Sequence, residues 1–205
     1  KPDRRQRQMC IRDRLKNLTL AISPYSNNPQ YWEETAYRFQ SEPWGSIYIQ
    51  TQKGKGRDLG PYALIEGQSK ELNFKRFETG LSRYTQPHGY IAFYDGTSQT
   101  KELSHTKEYI LSRNKPFTFI TSNIPSKKNN IPSTSNKLGY YSDKDNVFEF
   151  LNSLESQALK NGTAIGAIPP EPLVIEEIPS WIEKLKQNHK IEIVPLSTVL
   201  SYREE

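Results

Sequence analysis

Histidine, cysteine and methionine are almost missing from this chain: 205 residues hold three histidines, one cysteine and one methionine. Cys10 and Met9 both fall in the first ten residues. The rest has no thiol, which excludes disulfides, thiolate nucleophiles and cysteine-ligated metals there. That absence fits the cytoplasm and an oxidising compartment equally. His88, His105 and His189 lie far apart, and no H-x-x-x-H spacing puts two imidazoles on one helical face. No serine stands in G-x-S-x-G, and no histidine is placed to activate one. Gly54, Gly56 and Gly60 in KGKGRDLGP lack the G-K-[ST] ending of a phosphate loop and read as a surface loop. No apolar run approaches the ~18 residues of a membrane span, and no signal peptide is visible.

Charge outside the first residues is balanced. Lys1, Arg4, Arg5, Arg7, Arg12, Arg14 and Lys16 stand against Asp3 and Asp13, so residues 1–16 hold the whole net charge of +5. Taking 7 from 28 basic and 2 from 23 acidic groups leaves 21 of each in the body. A basic tail binds phosphate or anionic lipid non-specifically and says nothing about the folded part. The run MCIRDR resembles a translated sequencing-adapter fragment, so residues 1–14 are read as a non-native or disordered basic tail and are set aside. Residues 15–205 are then expected to form one domain. Apolar residues make up 34%, below the usual ~45–50% with glycine included, but 12 tyrosines and 8 phenylalanines supply much core surface.

What is present is an alternation of strand-length apolar runs with helical patterns. The runs are LTLAIS (Leu18–Ser23), SIYIQ (Ser46–Gln50), GYIAF (Gly89–Phe93), FTFIT (Phe117–Thr121), a weak LGYY (Leu138–Tyr141), TAIGAI (Thr163–Ile168) and IEIV (Ile191–Val194). Helices are expected near residues 30–40, 71–84, 101–113, 146–160 and 175–185. In the second, Leu72, Phe77 and Leu81 form the apolar stripe. In the fourth, Phe150, Leu151, Leu154 and Ala158 do so, and Asn161-Gly162 supplies a stop. Residues 51–61 and 122–136 read as loops. Seven strands interleaved with helices predict βα units around a parallel sheet or barrel. Functional groups then belong just past the strand C-termini: Ser23–Pro24, Gln50–Gln52, Phe93–Ser98, Thr121–Pro125, Tyr141–Asp145 and Gly166–Glu171.

Taken in order, LTLAISPYSNNP, GYIAFYDGTS, FTFITSNIPS, NGTAIGAIPPEP and IEIVPLSTVL resemble the divergent branch of the polysaccharide deacetylase superfamily over residues 15–200. The resemblance implies a distorted (β/α)7 barrel, with its first strand expected upstream of this sequence. It also implies a carbohydrate substrate, a periplasmic or cell-envelope setting and a peptidoglycan-like or other polysaccharide partner. The chemistry it implies uses zinc held by one carboxylate and two histidines, with hydroxide attacking an acetyl carbonyl. The first histidine segment, N-H-M-G-S, matches Phe93-Tyr94-Asp95-Gly96-Thr97. The second, G-H-P, matches Gly166-Ala167-Ile168. Tyr94 and Ala167 thus stand where imidazoles belong, so no bound cofactor is expected and the chain reads as a pseudoenzyme. An active deacetylase drawing on Asp95 and upstream carboxylates is the alternative.

Candidate ligand-binding groups at strand ends are Tyr94, Asp95, Thr97, Ser98, Thr121, Ser122 and Glu171. Competing local roles exist for several. Asp95-Gly96 is strong turn chemistry. Asp143 and Asp145 precede a helix as caps, and Glu171 opens a helix at a favourable dipole position. The aromatics Tyr48, Tyr90, Phe93, Tyr94, Tyr140 and Tyr141 can stack on sugars or fill the core. His88 and His189 fall before strands, away from the expected site. A nucleic-acid-binding role rests on the tail alone: deleting residues 1–16 is expected to abolish any filter-retained nucleic acid.

Overall fold

The computed structural model describes residues 15–23, 29–39, 42, 44–49, 51–52, 63–82, 87–93, 108, 110–112, 114–120, 135–137 and 143–201. In chain order the elements are β1 (Lys16–Ile22), α1 (Pro29–Phe39), β2 (Ser46–Ile49), β3 (Thr51–Gln52), β4 (Leu64–Ile65), α2 (Lys70–Leu81), β5 (Tyr90–Phe93) and β6 (Phe117–Ile120). They continue with β7 (Ser135–Lys137), α3 (Lys144–Asn161), β8 (Thr163–Ile168), α4 (Pro172–Asn188), β9 (Ile191–Ile193) and α5 (Leu196–Ser201).

Seven strands form one parallel sheet in the order β6-β5-β2-β1-β8-β7, with β9 joined to β1. The sheet curls into a half-barrel, as the expected distorted (β/α) barrel requires. Strand β1 pairs with β8 from Asn17↔Thr163 to Ile22↔Ile168. Its other edge divides. Lys16–Leu18 pair with β9, whereas Ala21 and Ile22 pair with Ser46 and Ile47 of β2. Between these partners the Thr19 hydroxyl donates to the Trp44 carbonyl at 3.3 Å.

Strand alternation sorts the side chains to two faces. Leu18, Leu20 and Ile22 join Ile47 and Ile49 against the helices, in one cluster with Trp32, Phe39, Phe150, Leu154 and Trp181. Ala21, Tyr48, Ile91, Ile165 and Ala167 face the interior, with Val194, Leu196 and Val199. Helix α5 thus fills the strand N-terminal end of the half-barrel: Val194 N–H donates to the Leu18 carbonyl at 2.9 Å. A Cβ placed on Gly89 would lie 2.7 Å from Leu196 Cδ2.

Helix α3 is built as its sequence reads. The Asp143 carboxylate accepts from Asn146 N–H at 2.8 Å as N-cap. Gly162 ends the helix at φ 84°, and its N–H donates to the Ala158 carbonyl. Phe150, Leu151, Leu154 and Ala158 are all buried. Trp181 Nε1 of α4 donates to Glu155 Oε1 at 2.6 Å, joining α3 to α4.

Three expectations need correction. On α2 the buried face is Asn73, Phe77 and Gly80, and Leu72 is exposed. A polar side chain displaced the apolar stripe because Asn73 accepts from Ile65 N–H (2.9 Å) and donates to Ile65 O (3.0 Å), satisfying a buried segment. Residues 51–52, expected in a loop, form β3 and pair with β4. Residues 135–136, also expected in a loop, belong to β7. That strand pairs only with β8 among the described residues, and an edge strand carries no continuous apolar run. Leu138–Tyr141, expected as a strand, lie outside the described residues. So does most of 101–113, of which 108 and 110–112 are helical. Helix α5 was not foreseen; one and a half turns are too short to show a period.

Gly166 marks the closest approach of α3 to the sheet. A Cβ there would lie 2.5 Å from Leu154 Cδ1 and 3.0 Å from Leu20 Cδ2. Gly166→Ala is therefore expected to lower unfolding free energy by about 1–3 kcal/mol, read from urea denaturation, with the circular dichroism spectrum unchanged before the transition.

Candidate functional site

Because every strand of the main sheet runs the same way, all their C-termini open on one end. There the Ser23 N–H donates to the Ile168 carbonyl at 2.9 Å, bringing the loops after β1 and β8 together. Ser23 is buried, as are Pro169 and Pro170. Pro172 occupies the first turn of α4, where its fixed φ suits the helix and no amide hydrogen is needed.

Glu171 is the N-cap of α4, with φ −94° and ψ 141°, and is half-buried. Its carbonyl accepts from Ile175 N–H at 3.0 Å. Its side chain makes no capping hydrogen bond. The carboxylate thus sits at the positive end of a helix. The Asp143 carboxylate forms the α3 cap. Next to it Lys144 Nζ meets Glu177 Oε1 at 2.8 Å. That hydrogen bond raises the Lys144 ammonium above its usual pKa.

Six of the seven sequence candidates, Tyr94, Asp95, Thr97, Ser98, Thr121 and Ser122, lie outside the described residues. The strands that lead to them end as partners, Phe93 opposite Ile120. Glu171 is placed at the expected end. Tyr48 and Tyr90 are both buried, Tyr48 among the interior side chains and Tyr90 against Phe77 at 5.7 Å between ring centroids. Sequence reasoning marked Ser23–Pro24 as a strand end but not Ser23 as a site residue; its signal was position alone.

Ala167 faces the interior beside Ala21, Tyr48, Ile91 and Ile165, almost wholly buried. A methyl group in an apolar cluster offers zinc no electron pair. His88 precedes β5, where its N–H donates to the Gly45 carbonyl at 2.9 Å. His189 is the exposed, left-handed C-cap of α4, with φ 47°. Both stand at the strand N-terminal end, away from Ser23 and Glu171, while His105 lies outside the described residues. Among the described residues no group of three or more histidine, cysteine, aspartate or glutamate side chains can hold a metal.

A curled parallel sheet with helices packed on its outer face, and its polar groups past the strand C-termini, defines an α/β protein of the (β/α)-barrel class. The chain belongs to the divergent polysaccharide deacetylase family, whose family model matches residues 3–200. An uncharacterized protein from Agrobacterium tumefaciens C58 has a similar solved structure, with a TM-score of 0.61 and 18% identity over 90% of this chain and 89% of that one. That likeness concerns the fold alone. No curated protein matches. Among the described residues no helix is long and apolar enough to cross a membrane.

Proposed function

We propose that the chain is a non-catalytic member of its family: an envelope-associated module that binds a polysaccharide or peptidoglycan-like glycan at the strand C-terminal end. The observation that carries this reading is Ala167, a buried methyl among Ala21, Tyr48, Ile91 and Ile165 at the position where the family pattern has histidine. Metal-assisted deacetylation requires a Lewis acid to polarise the acetyl carbonyl and lower the pKa of the attacking water. Alanine supplies neither a ligand nor space for one. The family's carbohydrate chemistry supports a sugar as the partner.

Glycan binding asks less of a site than hydrolysis does. A carboxylate that accepts from sugar hydroxyls and aromatic faces that stack on the ring suffice. Glu171 provides the carboxylate. The loops after β5 and β6, with Tyr94, Asp95, Thr97, Ser98, Thr121 and Ser122, supply the remaining polar and aromatic groups in this proposal.

Purified protein is expected to carry zinc far below one equivalent by elemental analysis and to release no acetate from acetylated amino-sugar oligomers. It is expected to bind those oligomers in calorimetry, and Glu171→Gln to weaken binding about tenfold, as for loss of one charge-assisted hydrogen bond. Acetate release that disappears with Asp95→Asn would overturn the non-catalytic reading.

A further inference from the structure

The end of the barrel opposite the candidate site has an unusual surface. Five large apolar side chains are exposed among the described residues, and four of them lie at or near this end. Tyr37 is 80% exposed in the last turn of α1, and Leu15, Leu111 and Leu159 are between 42% and 51% exposed. Leu15 precedes β1, Leu159 lies in the last turn of α3, and the helical residues 110–112 lead into β6. Hydrogen bonds tie part of this end together. Lys16 N–H donates to the Lys190 carbonyl at 2.9 Å, and Asn17 N–H to the Gly162 carbonyl at 3.0 Å. The starts of β1, β8 and β9 are thereby held side by side.

Three of the four apolar residues are followed directly by a cation: Leu15-Lys16, Tyr37-Arg38 and Leu159-Lys160. Lys190 adds charge just past the end of α4, whereas Lys184 reaches over the Phe148 ring of α3 at 5.9 Å. The acids at this end are Glu183, which pairs with Lys186 at 2.7 Å, Glu42, whose charge also acts on Lys186, Glu78 in the last turn of α2, and Glu192. Glu71 and Asp145 stand in the first turns of α2 and α3, at the other end. Helix dipoles account for lysines at helix C-termini. They give no reason for apolar side chains left in water beside those lysines.

We infer that this end of the barrel is a docking face for an anionic lipid surface. A protein partner of ordinary affinity needs a contiguous packed patch of roughly 800 Å² on each side. Separate apolar side chains interspersed with cationic ones suit a bilayer boundary instead. The apolar side chain enters the acyl layer while its neighbour stays level with the phosphates. Each lysine near such a surface adds attraction that added salt weakens. Docked in this way, the strand C-terminal end with Ser23 and Glu171 points away from the membrane. The inference does not depend on whether that end binds glycan.

The full chain is tested by sedimentation with vesicles of phosphatidylglycerol and phosphatidylcholine, against phosphatidylcholine alone. Binding is expected to the mixed vesicles and to fall with added salt. Lys16→Glu/Lys160→Glu/Lys190→Glu is expected to lower partitioning about tenfold or more, and Leu15→Ser/Leu159→Ser to lower it measurably. Lys70→Glu/Leu72→Ser at the other end is expected to leave it unchanged, with circular dichroism confirming that each variant folds. The leucine variant keeps the test open if the charge-reversed protein does not fold. Partitioning that ignores the face variants assigns binding to residues 1–14 and overturns the inference. Equal binding to neutral vesicles overturns it, as does a dimer that the leucine variant dissolves without change in vesicle binding.

Discussion

Strand β1 is the constraint on which the remaining architecture depends. Seven residues serve three neighbours: β8 along one edge, and β9 and β2 in succession along the other. All three pairings use backbone groups that cannot stay buried without partners. The side chains that face outward from β1 need the helices, and those that face inward need the interior cluster. Sliding β1 by one residue would exchange Leu18, Leu20 and Ile22 with Thr19 and Ala21 across the sheet. The apolar pattern therefore fixes the register, and the register brings Ser23 to Ile168.

Much of this architecture was legible in the chain because its signals are local. TAIGAI reads as a strand over Thr163–Ile168 and is one, since a buried central strand needs a continuous apolar run. Helix α3 has a stripe, an acidic cap and a glycine stop, and each does what its chemistry implies. Where reading failed, the signal was weak or belonged to tertiary structure. The Ser135–Lys137 strand pairs with β8 through its backbone, which a polar sequence does not announce. Asn73 takes a core position because of a buried backbone segment eight residues earlier, which no helical period reveals. The site was legible as a place: strand order puts Glu171 at the end where loops converge. Which side chains meet there depends on pairings between residues 145 positions apart, such as Ser23 with Ile168, and those leave no local mark.

The chemistry at that end turns on a single alternation. Within β8, Gly166 must face α3 because Leu154 leaves no room for a side chain, so Ala167 must face inward. Its neighbours Ala21, Tyr48, Ile91 and Ile165 are mostly apolar as well, so this stretch of the interior has the polarity of a core.

Helix α5 and the segment before it form a closing element for the first strand. Val194 meets Leu18, and Leu196 packs beside Gly89, so the interior is sealed at one end by residues far along the chain from those they cover. A nascent chain holds β1 with its second edge half open until β9 has been synthesised. Loop closure over that span is slow, and an open strand edge is adhesive. Folding of this sheet is thereby coupled to synthesis of residues 191–194, and a chain stalled before residue 191 would expose the edge that β9 normally covers.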